Sequence, residues 1–145
     1  MTRPQIAGVA PCFVVRHVPT ALAFYRDQLG FAITYQGPEP DDIFFGIVSR
    51  GGAMLMVKAV GVEPVPNRTR DVQKGVLRWD AYFAVPDPDA VAAEFAARSV
   101  TFSAPLQDTH DGLRGFEVED PDGYRLFFGR PRRGTVPETL RRVAT

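Results

Sequence analysis

Internal repetition constrains this chain more than any other feature. The segments around Val15 behave like those around Val85, an offset of 70 residues, and each half presents a strand, a helix and then strands joined by tight turns. In the first half the apolar, β-branched stretch Val9 to Val15 reads as a strand, and a helix runs from about Thr20 to Leu29. Pro19 can open that helix, Leu22, Tyr25 and Leu29 recur at helical spacing, and Gly30 supplies a left-handed cap. In the second half Ala81 to Val85 is the strand. Asp87 is the N-cap with Pro88 at the first helical position, and Val91, Ala92 and Phe95 form the apolar face.

Tight turns close each half. Ile43 to Val48 and Ala53 to Val57 flank Arg50-Gly51-Gly52, while Gly115 to Glu119 and Tyr124 to Phe128 flank Asp120-Pro121-Asp122-Gly123. In the second turn Asp120 can accept from its own backbone, Pro121 presets φ at the first corner and Gly123 takes the positive φ that closes it. The unit is βαβββ, present twice, which makes the fold class α+β. A single domain of 145 residues follows, with module 1 about 7–57, a connecting loop 58–75, module 2 about 76–130 and a basic tail 131–145. A loop as long as Lys58 to Gly75 either simply joins the halves or closes over a ligand.

Lys and Arg together number 17, as do Asp and Glu, so no global field draws the chain to nucleic acid or an anionic membrane. The local excess of Arg130, Arg132, Arg133, Arg141 and Arg142 over Glu138 reads as a solvated face or subunit contact, since no basic stripe with interleaved aromatics accompanies it. Cys12 is the only cysteine, so an internal disulfide is excluded. The run Ile6 to Val15 is broken by Pro11, lacks a basic leader and is too short to cross a bilayer. A cytoplasmic protein that binds neither nucleic acid nor membrane is expected.

The segments Pro11-Cys12-Phe13-Val14-Val15, Ala21 to Phe31, Arg50-Gly51-Gly52-Ala53, Asp87-Pro88-Asp89-Ala90 and Val118 to Tyr124 resemble the vicinal oxygen chelate superfamily. That group includes glyoxalase I, extradiol dioxygenases, fosfomycin resistance enzymes and bleomycin resistance proteins. The resemblance runs from about Val9 to Pro131. It implies two tandem βαβββ modules curling into a cup, a partly open mixed β-sheet with helices outside, usually in a homodimer. It also implies where a metal would sit, because catalytic members place His, Gln or Glu on the first and last strands of each module. Those positions fall here on Ala10, Met56, Asp80 and Phe127; a shift of two gives Cys12, Met54, Tyr82 and Arg125. Only Asp80 of the first set is a metal donor, and a hard divalent ion needs several. The expectation is therefore no metal and no cofactor.

Fold alone does not assign function. With apolar groups at the metal positions the cup becomes an apolar pocket with one carboxylate, and the expected ligand-binding residues are Cys12, Met54, Met56, Asp80, Tyr82, His110 and Phe127. Asp80 would hold a cation or hydrogen-bond donor, or, paired with Arg78 or Arg125, be neutralised; Trp79 beside it is expected on the opposite face. His17 reads as a helix cap and His110 as a rim residue, a candidate base or ligand contact. Cys12 reads as a small core residue rather than a nucleophile. The acidic groups Glu39, Asp41, Asp42 and Glu117, Glu119, Asp120, Asp122 read as turn and edge-strand solubility devices. The leading reading is metal-free binding of a small organic molecule, with antibiotic sequestration of the bleomycin resistance type as its closest relation; the neutral net charge speaks against a large cationic drug. Two alternatives stand beside it. One is a lyase, isomerase or dioxygenase with a divalent metal on Asp80, His110 and Glu117 or with Asp80 as acid or base. The other is a homodimeric interaction module without a ligand.

Overall fold

The computed structural model describes residues 2–71 and 79–132. Along the chain come β1 (Cys12–Val14), α1 (Val18–Asp27), β2 (Ala32–Glu39), β3 (Asp42–Arg50), β4 (Ala53–Lys58) and α2 (Asn67–Asp71). These are followed by β5 (Ala81–Ala84), α3 (Pro88–Ala97), β6 (Phe102–Asp108), β7 (Leu113–Glu119) and β8 (Arg125–Pro131). Each βαβββ unit makes one four-stranded mixed sheet, in the orders β1-β4-β3-β2 and β5-β8-β7-β6, and neither closes on itself. The first strand of each unit lies parallel to the last, so Cys12 faces Met56 and Tyr82 faces Phe127. The repeat is therefore offset by 70 at the first strands and by 71 at the last, because the turn closed by Asp120 and Tyr124 encloses one residue more than the equivalent turn closed by Arg50 and Ala53.

Local chemistry sets the element ends. His17 caps α1, its Nδ1 accepting from the Thr20 N–H at 3.4 Å, and Asp87 caps α3 through the Ala90 N–H at 3.1 Å. Helix α1 begins at Val18 and ends at Asp27, two residues earlier at each end than the spacing suggests. Strand β1 is far shorter than Val9 to Val15, and Ala10 falls outside it; Pro11 contributes only its carbonyl, which accepts from Met56 N–H at 2.9 Å. The loop 58–75 is partly helical, since it contains α2; its residues 72–75, together with Arg78 and the tail 133–145, lie outside the described residues.

Alternation places one side chain in two against the helices. Val48, Leu55 and Val57 from the first sheet and Phe116, Val118, Leu126 and Phe128 from the second join Val18, Leu22, Tyr25, Leu29 and Phe95 in one core. That core is continuous across the two units because each turn docks on the other unit's helix. The Tyr25 hydroxyl on α1 donates to Asp120 Oδ2 at 2.8 Å, while Asp120 Oδ1 accepts from the Asp122 and Tyr124 N–H groups, both at 2.9 Å. Gly123 turns the corner at φ +91°. The Tyr124 ring stacks on Phe13 with centroids 4.1 Å apart and an 11° tilt, and its hydroxyl donates to Val14 O at 2.7 Å. Arg16 completes the contact, its backbone N–H donating to Asp122 Oδ1 at 3.0 Å. In the reciprocal position Arg50 donates to Leu29 O at 2.8 Å, pairs with Glu94 at 2.6 Å, and lies over the Phe95 ring.

Burial pushes the Asp120 carboxyl up to about 6, against the Tyr25 and backbone hydrogen bonds that favour its ionised form. The ordinary value is 3.8, so the folded chain holds this proton more tightly than the unfolded one. Its contribution to stability is complete below the ordinary value and is lost as pH rises through about 6. The carboxyls of Asp27, Asp89 and Glu94 are shifted the opposite way, held low chiefly by hydrogen bonds from Arg26, Arg114 and Arg50. Urea unfolding between pH 4 and 6.5 is therefore expected to show the parent chain losing about 2–3 kcal/mol relative to Asp120→Asn; a pH-independent difference would refute the assignment. Tyr25→Phe, which leaves Asp120 without this donor, is expected to cost about 1–3 kcal/mol at neutral pH.

Candidate functional site

The face of each sheet turned away from the helices is open, and the two faces differ in character. On the first, Met54 and Met56 stand on the side of β4 opposite Leu55 and Val57, beside Cys12, giving a flexible, polarizable surface. Met54 is 41% exposed and Tyr35, two strands away on β2, 47%. On the second sheet the open face is aromatic. Phe127 lies flat over two glycines: a Cβ at Gly115 would come within 2.6 Å of its ring and one at Gly129 within 2.5 Å. Trp79 stacks on Phe127 at 4.2 Å with a 22° tilt, and Tyr82 lies 5.6 Å from it at 20°. The three rings form a pad with Phe127 buried as its base and Tyr82 40% exposed.

Beside the pad runs a charged network in which Arg125 meets Glu117 at 2.8 Å and Arg68 meets Glu119 at 3.1 Å. Partial burial, with the Asp111 charge adding to it, pushes the Tyr82 hydroxyl above its usual range, so it stays a neutral donor at physiological pH.

The structure thus brings Tyr82 together with Phe127, and Cys12 with Met54 and Met56. It assigns Asp80 differently. Asp80 Oδ1 accepts from the Asn67 N–H and Oδ2 from the Arg125 N–H, both at 2.8 Å, so this carboxylate ties α2 and the connecting segment to the edge of the second sheet. Among the described residues it is engaged by these backbone donors and not by the Arg125 side chain, while Arg78 lies outside the described residues. Trp79 also departs from expectation, stacking on Phe127 instead of pointing to the other face. It precedes β5, and strand alternation does not bind a residue outside the ladder. Cys12 is exposed on the open face, not a core residue. His110 sits exposed in the β6–β7 turn, where its neighbours Thr109 and Asp111 bond to each other.

The donor set does not fit a metal. Ala10 and the side chains of Met56, Tyr82 and Phe127 offer no adequate ligands, Asp80 is held as described, and Glu117 is taken by Arg125. Asp80, His110 and Glu117 do not form a cluster: among the described residues no three His, Cys, Asp or Glu side chains converge in a way that could hold an ion.

A cavity of 610 Å³ that sequence spacing does not reveal lies where the β3–β4 turn meets β5 and α3. Arg50, Ala53 and Phe83 line it, and Met54 and Tyr82 connect it to the open faces. Its signal in the sequence is Ala53 standing where the second unit has Tyr124, a correspondence visible only once the one-residue difference between the two turns is known.

The family model described as the Glyoxalase/Bleomycin resistance protein/Dioxygenase superfamily matches residues 5–128. Among solved structures, the chain is similar to the bleomycin-binding protein of bleomycin-producing Streptomyces verticillus, complexed with copper(II)-bleomycin. Identity is 27%, 87% of this chain and 97% of that one are covered, and the TM-score is 0.63. TioX from Micromonospora sp. ML1 is similar at 22% identity, covering 84% and 96%, with a TM-score of 0.65. A glyoxalase/bleomycin resistance protein/dioxygenase from Nocardioides is similar at 19% identity, covering 94% and 89%, with a TM-score of 0.63. No curated protein matches the chain. The architecture is the vicinal oxygen chelate fold, α+β with its sheets unclosed. No helix among the described residues is long and apolar enough to cross a membrane.

Because Trp79 is the only tryptophan, it reports on the pad. Phe127→Ala removes the base of the stack, and is expected to shift Trp79 emission to longer wavelength and to lower stability by about 3–5 kcal/mol.

Proposed function

The chain belongs to the glyoxalase/bleomycin resistance protein/dioxygenase superfamily, and from that premise we propose that it binds a flat, largely apolar organic molecule without a metal, as a cytoplasmic homodimer that sequesters an antibiotic or other xenobiotic. The pad of Trp79, Tyr82 and Phe127 carries this reading. Phe127 rests on a glycine floor and lies within 22° of parallel to both Trp79 and Tyr82, so a planar ligand can extend the stack without reorganising its base. The likeness to a bleomycin-binding protein supports small-molecule binding as the use of the fold.

Magnitudes argue for a second copy. Covering about 200 Å² of apolar ligand surface on one pad contributes about 5 kcal/mol gross, at about 25 cal/mol per Å². A micromolar complex needs about 8 kcal/mol after the cost of association. A single open face falls short. The exposed thioether surface of Met54 and Met56, presented by a second chain, could cover the ligand's other side and close that gap.

A thermal-shift screen of polycyclic aromatics should yield compounds that raise the melting temperature and quench Trp79. Trp79→Leu should weaken their binding at least tenfold, while chelator leaves it unchanged; binding that survives Trp79→Leu, or that requires metal, rejects the proposal. Light scattering should give twice the chain mass of 16.0 kDa.

A further inference from the structure

The two units dock through equivalent turns, and the two junctions are unequally filled. Register makes Phe13 correspond to Phe83, Val14 to Ala84 and Ala53 to Tyr124. At one junction the Tyr124 ring lies 4.1 Å from Phe13 and its hydroxyl donates to Val14 O. At the other, the counterpart side chain ends at the Cβ of Ala53. The 610 Å³ cavity lies there, lined by Ala53, Phe83, Ala84, Phe95 and Arg50 among others. A ring present in one junction is missing from its twin, while the twin of the aromatic surface it would rest on remains.

Charge at this cavity has one sign. Among the described residues that line it, Arg50 alone is charged. Arg50 Nη1 donates to Leu29 O and Glu94 Oε2, and Nη2 to Glu94 Oε1. Its Nε–H and the outer N–H of Nη2 form the second edge of the guanidinium fork, for which no hydrogen-bond partner is recorded among the described residues. That edge has the geometry to take a carboxylate through two parallel bonds. Glu94 does not neutralise the group, because Arg98 shares it at 3.2 Å, leaving two cations to one carboxylate.

We propose that this inter-unit cavity binds an aromatic carboxylate, its ring in the place that Tyr124 fills in the other junction and its anionic group on the free edge of Arg50. A ring hydroxyl would meet Ala84 O as the Tyr124 hydroxyl meets Val14 O. This rests on small-molecule binding as proposed above, but it fixes a different place and the opposite charge from the cationic ligand that Asp80 suggested in the sequence. The cavity volume falls within the range of small-molecule sites and exceeds a single ring, so a fused ring system fits the class.

The test is calorimetric titration of the full chain with 6-hydroxy-2-naphthoate, its methyl ester and 6-(aminomethyl)-2-naphthol. The naphthoate is expected to bind at least tenfold more tightly than the ester, and the amine most weakly. Arg50→Gln should erase the advantage of the naphthoate over the ester. Ala53→Tyr, which supplies the missing ring, should abolish naphthoate binding and raise the melting temperature; Ala53→Leu is the smaller filling if the tyrosine does not fold. Ester or amine binding as tightly as the naphthoate overturns the proposal, as does naphthoate affinity undiminished by both fillings, or no binding at all. Naphthoate binding lost in Trp79→Leu but kept in Ala53→Tyr would put the ring on the aromatic pad, rejecting the cavity while leaving the pad reading standing. Binding kept in Trp79→Leu and lost in Ala53→Tyr supports the cavity.

Discussion

The structure depends on one buried carboxylate. Asp120 is 4% exposed and stands at the point where the second unit's turn enters the first unit. It bonds its own turn through the Asp122 and Tyr124 N–H groups and bonds α1 through Tyr25. The same group thus sets the shape of the turn and fixes where that turn docks. Without the turn's geometry Tyr124 would not reach Phe13 and Val14, and the aromatic and aliphatic cores of the two units would not run together. The cost is a carboxylate held in a poorly solvated place, which its hydrogen bonds only partly offset. Keeping such a group trades some neutral-pH stability for a defined docking geometry.

Docking on the helix side leaves the other face of each sheet open. The consequence is not the same in the two units. β4 presents methionines on its open face, which adapt to whatever covers them, whereas β8, β5 and the segment before β5 build a rigid ring stack. Gly115 and Gly129 are what make that stack possible. A side chain at either would collide with Phe127, so two glycines on neighbouring strands become the floor for the ring on which Trp79 stacks. One face is preorganised and the other compliant, a division suited to gripping a flat molecule between two copies of the chain.

Much of this architecture was legible in the sequence, because it rests on local rules. Pro19 and Pro88 near helix starts, Asp87 as a cap and the Asp-Pro-Asp-Gly turn each act over a few residues, and repetition at 70 positions multiplied their weight. The pairing of Tyr82 with Phe127 and of Cys12 with Met56 on shared faces also followed from strand alternation, although neither was anticipated as a register pair. The surroundings of Asp80 and Trp79 are not legible in the sequence, for a common reason. Both lie at the entry to β5, where the partner is the connecting segment folded back as α2, a contact no periodicity encodes. The cavity was hidden because the two units are not superimposable by one offset: at 70, Ala53 aligns with Gly123, and only at 71 does it meet Tyr124.

A methyl at Ala53 in place of the ring of Tyr124 is what makes the two junctions differ. Duplication of a βαβββ unit supplies two docking sites of the same shape, and one firmly filled junction is enough to hold the units together. That junction has the Phe13–Tyr124 ring stack and three hydrogen bonds across it, from the Tyr25 hydroxyl to Asp120, from the Arg16 N–H to Asp122 and from the Tyr124 hydroxyl to Val14 O. The other junction keeps the Arg50–Glu94 pair, whose half-exposed side chains are screened by water and stabilise less. It can therefore carry a void that would be costly as the sole contact, since the packing lost around an empty space weakens the fold in proportion to its size. A ligand that restores those contacts binds to, and so stabilises, only the folded chain. On this view the filled and unfilled junctions are complementary: the stability of the first is what permits the second to remain open.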